Sequence, residues 1–148
     1  MSTAAIPSPS CATAEVAYFY KLIEHTAPPP DPLPDALPVS ALDQSSGFVH
    51  LSTAAQVPGT LRHFFTDVPH VFVARIPRAP LDQAGVVRWE DPEGKVCGPR
   101  PGEGLFPHLY NGLKLGKDEL DSVRKWDRNE TGWDDAVRKV QVEGWLVD

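Results

Sequence analysis

The sequence is short of cysteine, of long apolar runs and of positive charge, and each shortage excludes a class of protein. Its only two cysteines, Cys11 and Cys97, stand 86 positions apart, the first near the N-terminus and the second in a stretch rich in glycine and proline. That isolation rules out a disulfide framework, and neither belongs to a C-x-x-C metal-ligand pair. No run approaches the roughly 20 apolar residues that a helical bilayer span requires. The opening MSTAAIPSPSCATAE lacks a basic start, an arginine and a continuous apolar block, so it reads neither as a secretory signal nor as a transit segment. Cytoplasmic residence is the resulting expectation. A formal net charge of −6 disfavours a bulk electrostatic grip on nucleic acid or on an anionic membrane.

What is present suits one ordinary domain. The 148 residues are 41% hydrophobic and 23% charged, enough for a single core without wholesale disorder. Between Arg62 and Arg100 basic and acidic residues nearly balance, which leaves room for a local anion site in an otherwise acidic chain. Proline outnumbers glycine, 16 to 11, and much of it clusters in residues 27–38, APPPDPLPDALP. Such spacing forbids a regular helix or a central strand and predicts a stiff surface excursion, which could also engage a protein partner. Residues 1–15 read as a mobile tail and 16–148 as one domain.

Apolar patterning places the elements. Ala17–Ile23, Gly47–Leu51, Val71–Ile76 and Val86–Glu90 read as strands, Leu105–Leu115 as strand in part, and Leu120–Trp126 as strand or helix, with strand favoured. Thr53 and Gln56 form a capping-box pattern, predicting a helix toward Phe65 with Leu61, Phe64 and Phe65 inward and a break or kink at Pro58. A second helix is expected over Trp133–Val142, and a long loop over 91–104. Strands without regular βαβ alternation indicate an α+β domain with a largely antiparallel or mixed sheet.

Five side chains stand out for chemistry. His50 shares a strand face with Phe48 and Ser52, just before the expected helix start, where free backbone amides and the helix dipole would favour an anion. Arg88 and Glu90 share a face of their strand; the pair could be a surface ion pair, or could hold an anion and a hydroxyl. His108 and Tyr110 point the same way if extended, offering a proton-active ring and a stacking partner. A zinc site from His50, His108 and Cys97 has no supporting ligand spacing, so no metal is expected.

The strings Gly47-Phe48-Val49-His50-Leu51-Ser52-Thr53, Arg88-Trp89-Glu90 and Phe106-Pro107-His108-Leu109-Tyr110, in this order, resemble the domain-of-unknown-function family 952. The resemblance runs from about Tyr18 to Leu120. It implies an ADP-ribosyltransferase-like fold, a small split-sheet α+β domain with a cleft for NAD or a related nucleotide. On that resemblance His50 would meet a ribose with Ser52 beside it, Arg88 the phosphates and Tyr110 a base, while Glu90 or His108 would take the catalytic role. The functional expectation is a nucleotide pocket, with or without group transfer or hydrolysis; the alternative is a non-catalytic module for a small anionic metabolite or a protein partner.

Overall fold

The computed structural model describes residues 16–84, 86–91 and 105–147; the tail expected at 1–15 and almost all of the loop expected at 91–104 lie outside these. In chain order the elements are β1 (Tyr18–Glu24), α1 (Ala41–Ser46), β2 (Val49–His50), α2 (Val57–Phe64), β3 (His70–Pro77), α3 (Arg78–Ala84), β4 (Val86–Glu90), β5 (Phe106–Tyr110), β6 (Ser122–Asp127) and α4 (Asp134–Val142). The strands form two three-stranded antiparallel sheets, ordered β1-β3-β6 and β2-β5-β4. The α+β expectation holds in this coarser form.

Period-two alternation decides the layering. In the first sheet both faces are apolar. Tyr20, Val71, Val73 and Trp126 pack with Val57 and Leu61 of α2 and Val137 and Val140 of α4. Their neighbours Phe19, Ala74 and Ile76 pack the other way, against Val49, Leu51, Val87, Trp89 and Leu109 of the second sheet. The second sheet therefore spends one face on the core and leaves the other to polar side chains.

One crossing joins the sheets. Val49 and His50 pair with Leu109 and His108, and two residues later Ser52 exchanges backbone hydrogen bonds of 2.8 Å with Tyr20 of β1. Strand β2 is far shorter than the five residues expected, and Pro107 gives a reason. Leu51 N–H donates to the Pro107 carbonyl at 3.0 Å, but proline has no N–H to return, so the ladder ends there.

Helix α2 departs from expectation in three ways. The reciprocal capping bonds do form, Thr53 N–H to Gln56 Oε1 at 3.1 Å and Gln56 N–H to Thr53 Oγ1 at 3.2 Å, but they close a turn that precedes the helix. Pro58 falls in the first helical turn, where its missing N–H has no partner to lose, and no break results. Phe64 is 74% exposed, because the buried stripe runs Val57, Leu61, Phe65 at spacings of four. Helices α1 and α3 were not anticipated. For α1 the signal was there: Ser40 caps it by accepting the Asp43 N–H at 3.1 Å, the S-x-x-D pattern of a helix start.

The Pro-rich stretch is mostly exposed but anchored. Leu33 and Leu37 pack against the core between the sheets, and backbone bonds join Leu37 to Leu115 (2.8 Å) and Lys117 to Pro34 (2.9 Å). This contact depends on Gly116, where a Cβ would stand 2.0 Å from the Asp35 carbonyl oxygen. Gly116→Ala should therefore destabilise the protein by about 2–3 kcal/mol in urea unfolding. Gly59→Ala, in helix α2 with nothing within 4 Å of the new methyl, should instead be neutral or stabilising by up to about 1 kcal/mol. Equal effects of the two would refute the close-approach account.

Candidate functional site: two carboxylate-held imidazoles on the polar sheet face

On the polar face of the second sheet, register brings distant residues into one row. His50 lies opposite His108, and His108 opposite Arg88, across β2, β5 and β4. Glu90 and Tyr110 stand two residues along their strands on the same face. Since Leu51–Pro107 is a hydrogen-bonded pair, His50–His108 is a non-hydrogen-bonded one, the position where facing side chains come closest. Their ring centres are 5.0 Å apart. Phe48 lies against both imidazoles and against Tyr110, stacking on His108 at 4.1 Å.

Each imidazole is held at Nδ1 by a buried carboxylate. Asp43, 3% exposed, accepts from His50 Nδ1 at 2.7 Å and from the His50 backbone N–H at 3.2 Å. Its other oxygen takes Lys21 Nζ at 2.7 Å, and Lys21 also donates to the His50 carbonyl at 3.1 Å. Burial alone would raise the Asp43 carboxyl, but the His50 bond and the Lys21 ammonium outweigh it and hold the group below its ordinary value. Asp43 stays ionised and fixes the imidazole's orientation.

The second carboxylate is Glu90, 2% exposed. Its Oε1 meets His108 Nδ1 at 3.0 Å and accepts the Tyr110 hydroxyl at 2.5 Å, while Arg88 Nε lies 3.8 Å from Oε2. Burial lowers the pKa of His108, the Glu90 bond only partly opposes this, and neighbouring His50 lowers it further, so the ring is neutral at pH 7. With Nδ1–H donated to Glu90, His108 Nε2 carries a lone pair; that atom is buried and has no hydrogen-bond partner among the described residues. Tyr110 is pushed up to about 12, first by burial and then by its bond to Glu90.

Of the expected site residues, His50, Arg88, Glu90, His108 and Tyr110 are gathered on one face. Ser52 is 6% exposed, and its backbone serves the crossing to β1. The helix-mouth anion site is weakened too: the amides of Thr53, Gln56 and Val57 are taken within the turn, and Pro58 has none. Cys97 lies outside the described residues, among which no group of three or more His, Cys, Asp or Glu side chains is placed to hold a metal ion. Sequence reasoning missed Asp43, Lys21 and Phe48. An open groove of about 270 Å³ runs along α2 past Gly59, Thr60, His63 and Phe64 to Phe106, the strand partner of Glu90.

Fold and site together define an α+β protein with two small antiparallel sheets and a polar, histidine-bearing sheet face. The family described as "Protein of unknown function (DUF952)" matches residues 34–123, more than half of the chain, and the chain belongs to it. Its fold is similar to that of protein CC0527 from Caulobacter crescentus. The X-ray structure of that protein aligns with a TM-score of 0.58 at 21% identity, covering 82% of this chain and 98% of that one. Its solution structure aligns at 0.53 and 22% identity, covering 78% and 89%. No curated protein matches. No helix among the described residues is long and apolar enough to cross a membrane.

The Tyr110–Glu90 bond is open to titration. A phenol held protonated to about 12 in the folded chain, against 10.0 ordinarily, adds stability that is fully present below pH 10 and lost as pH rises through 12. Difference absorbance between the native protein and Tyr110→Phe should show the Tyr110 phenolate forming near pH 12, and Glu90→Gln should move that midpoint down. A midpoint at pH 10 in the native protein would contradict the bond.

Proposed function

We propose that the polar face of the second sheet binds a nucleotide of the NAD or ADP-ribose class, in a fold of the ADP-ribosyltransferase-like type, with His50 as the proton-active group. The observation that carries this reading is the gathering of His50, His108, Arg88, Glu90 and Tyr110 onto one face from three strands. Two separate small sheets also suit a split-sheet nucleotide fold. Arg88, with its side chain 43% exposed, is a cation on this face that a phosphate would meet. His50, held at Nδ1 by Asp43, presents Nε2 to a ribose hydroxyl or an attacking water. The groove ending at Phe106 offers aromatic surface to a base.

In this reading Glu90, buried and engaged by His108 and Tyr110, positions those side chains and does not itself face an anomeric carbon. In transfer or hydrolysis of NAD, His50 would be the general base that takes the proton from the incoming hydroxyl or water as its oxygen bonds to the anomeric carbon, while the bond to nicotinamide breaks and nicotinamide leaves as the neutral amide. The same engagement of Glu90 favours a second reading, a binding module for a small anionic metabolite without turnover.

Calorimetry with NAD, ADP-ribose and inorganic phosphate, with chromatography of the mixtures, separates the two. Binding of NAD or ADP-ribose is expected, weakened about tenfold or more by Arg88→Ala. Turnover, where present, should vanish in His50→Ala while most of the affinity stays. Binding without product selects the module; no heat with NAD or ADP-ribose up to millimolar concentration ends the nucleotide reading.

A further inference from the structure

We infer that His50 and His108 form a two-histidine site for a transition-metal ion of the zinc type, bound through both Nε2 atoms. The inference rests on other observations than the nucleotide reading but uses the same His50 Nε2, so a bound ion would exclude His50 as the general base. Several independent features of the strand pair point to it.

The first is spacing. A zinc ion about 2.0–2.1 Å from two imidazole nitrogens in tetrahedral geometry sets the two ring centres about 5 Å apart. Here they stand 5.0 Å apart, on facing residues of an antiparallel pair at the position of closest side-chain approach. The second feature is what holds the rings. Histidines that ligate metals generally donate their other ring N–H to a carboxylate or carbonyl, which fixes the tautomer and raises ligand basicity. Both rings have that partner: Asp43 at 2.7 Å from His50 Nδ1, and Glu90 at 3.0 Å from His108 Nδ1. In each case the carboxylate is itself buried, and a second donor steadies it, Lys21 on Asp43 and Tyr110 on Glu90.

The third feature is the buried Nε2 of His108, which lacks a partner among the described residues. An unmet buried acceptor is unfavourable, and a coordinated cation would remove that cost. His50 is the more open of the two, its side chain 20% exposed, so an ion would reach the pair from its side. Lys21 and Arg88 balance the charges of Asp43 and Glu90, so affinity would rest on the imidazoles. That selects Zn²⁺, Co²⁺ or Cu²⁺ over Mg²⁺ and Ca²⁺, which require oxygen ligands. With two protein ligands, two tetrahedral positions stay open to water or to an anionic ligand.

The test is a titration of the full chain, stripped by chelator and free of nucleotide, with Zn²⁺ by calorimetry and with Co²⁺ by visible absorption. One equivalent per chain is expected, with a tetrahedral Co²⁺ spectrum and no response to Mg²⁺. His50→Ala should weaken binding at least tenfold, and Asp43→Asn by about tenfold. Since His108→Ala alters a buried position and could unfold the chain, the His50 variant decides, its fold checked by circular dichroism. Absence of binding would overturn the inference, as would affinity unchanged in His50→Ala, which would assign the ion elsewhere, such as the neighbouring His25 and His70. Neither failure touches the nucleotide reading, which needs no metal.

Discussion

The crossing at Leu51 and Ser52 is the constraint on which the rest of the molecule depends. Within three residues the chain leaves a ladder with β5 and enters a bridge with Tyr20 of β1, so the two sheets are locked face to face at one point. The apolar side chains of β2 then have only one place to go, the shared core with Phe19, Ala74 and Ile76. Alternation sends the intervening His50 to the opposite face. A one-residue slip of this register would drive the imidazole into the core and Val49 and Leu51 into water, which strongly specifies the pairing seen.

The polar face follows from that lock. Burial of carboxylates is unfavourable unless each oxygen is satisfied, and here the satisfying groups are the functional candidates themselves. Asp43 collects Lys21 from β1 and His50 from β2; Glu90 collects His108 and Tyr110 from β5. The result is two similar units, a buried acid holding an imidazole by Nδ1, set side by side with Phe48 against both rings. Low local dielectric strengthens these bonds and keeps His108 neutral.

Much of this was legible in the chain itself. Strands β1, β3 and β4 and helix α4 fell close to their expected bounds, because their β-branched or periodic apolar residues speak for themselves. That Arg88 shares a face with Glu90, and His108 with Tyr110, likewise followed from alternation along their strands. Phe64 was misjudged, since an aromatic at helical spacing looks buried until the true stripe, Val57, Leu61 and Phe65, is known. Helix α1 was readable as a capping pattern at Ser40 and Asp43, but its six residues are too few for an apolar period to show.

Composition and local pattern by themselves determined the α+β class, the lack of a disulfide framework and which residues share a face, because each follows from charge, side-chain chemistry or a period of two. Only the tertiary structure decided that His50 would lie against His108, that Asp43 would be its partner, and that Glu90 would be enclosed instead of exposed. Those facts depend on pairings between residues 7, 18 and 58 positions apart in the chain. No local preference encodes such a pairing; the burial of one sheet face against another selects it.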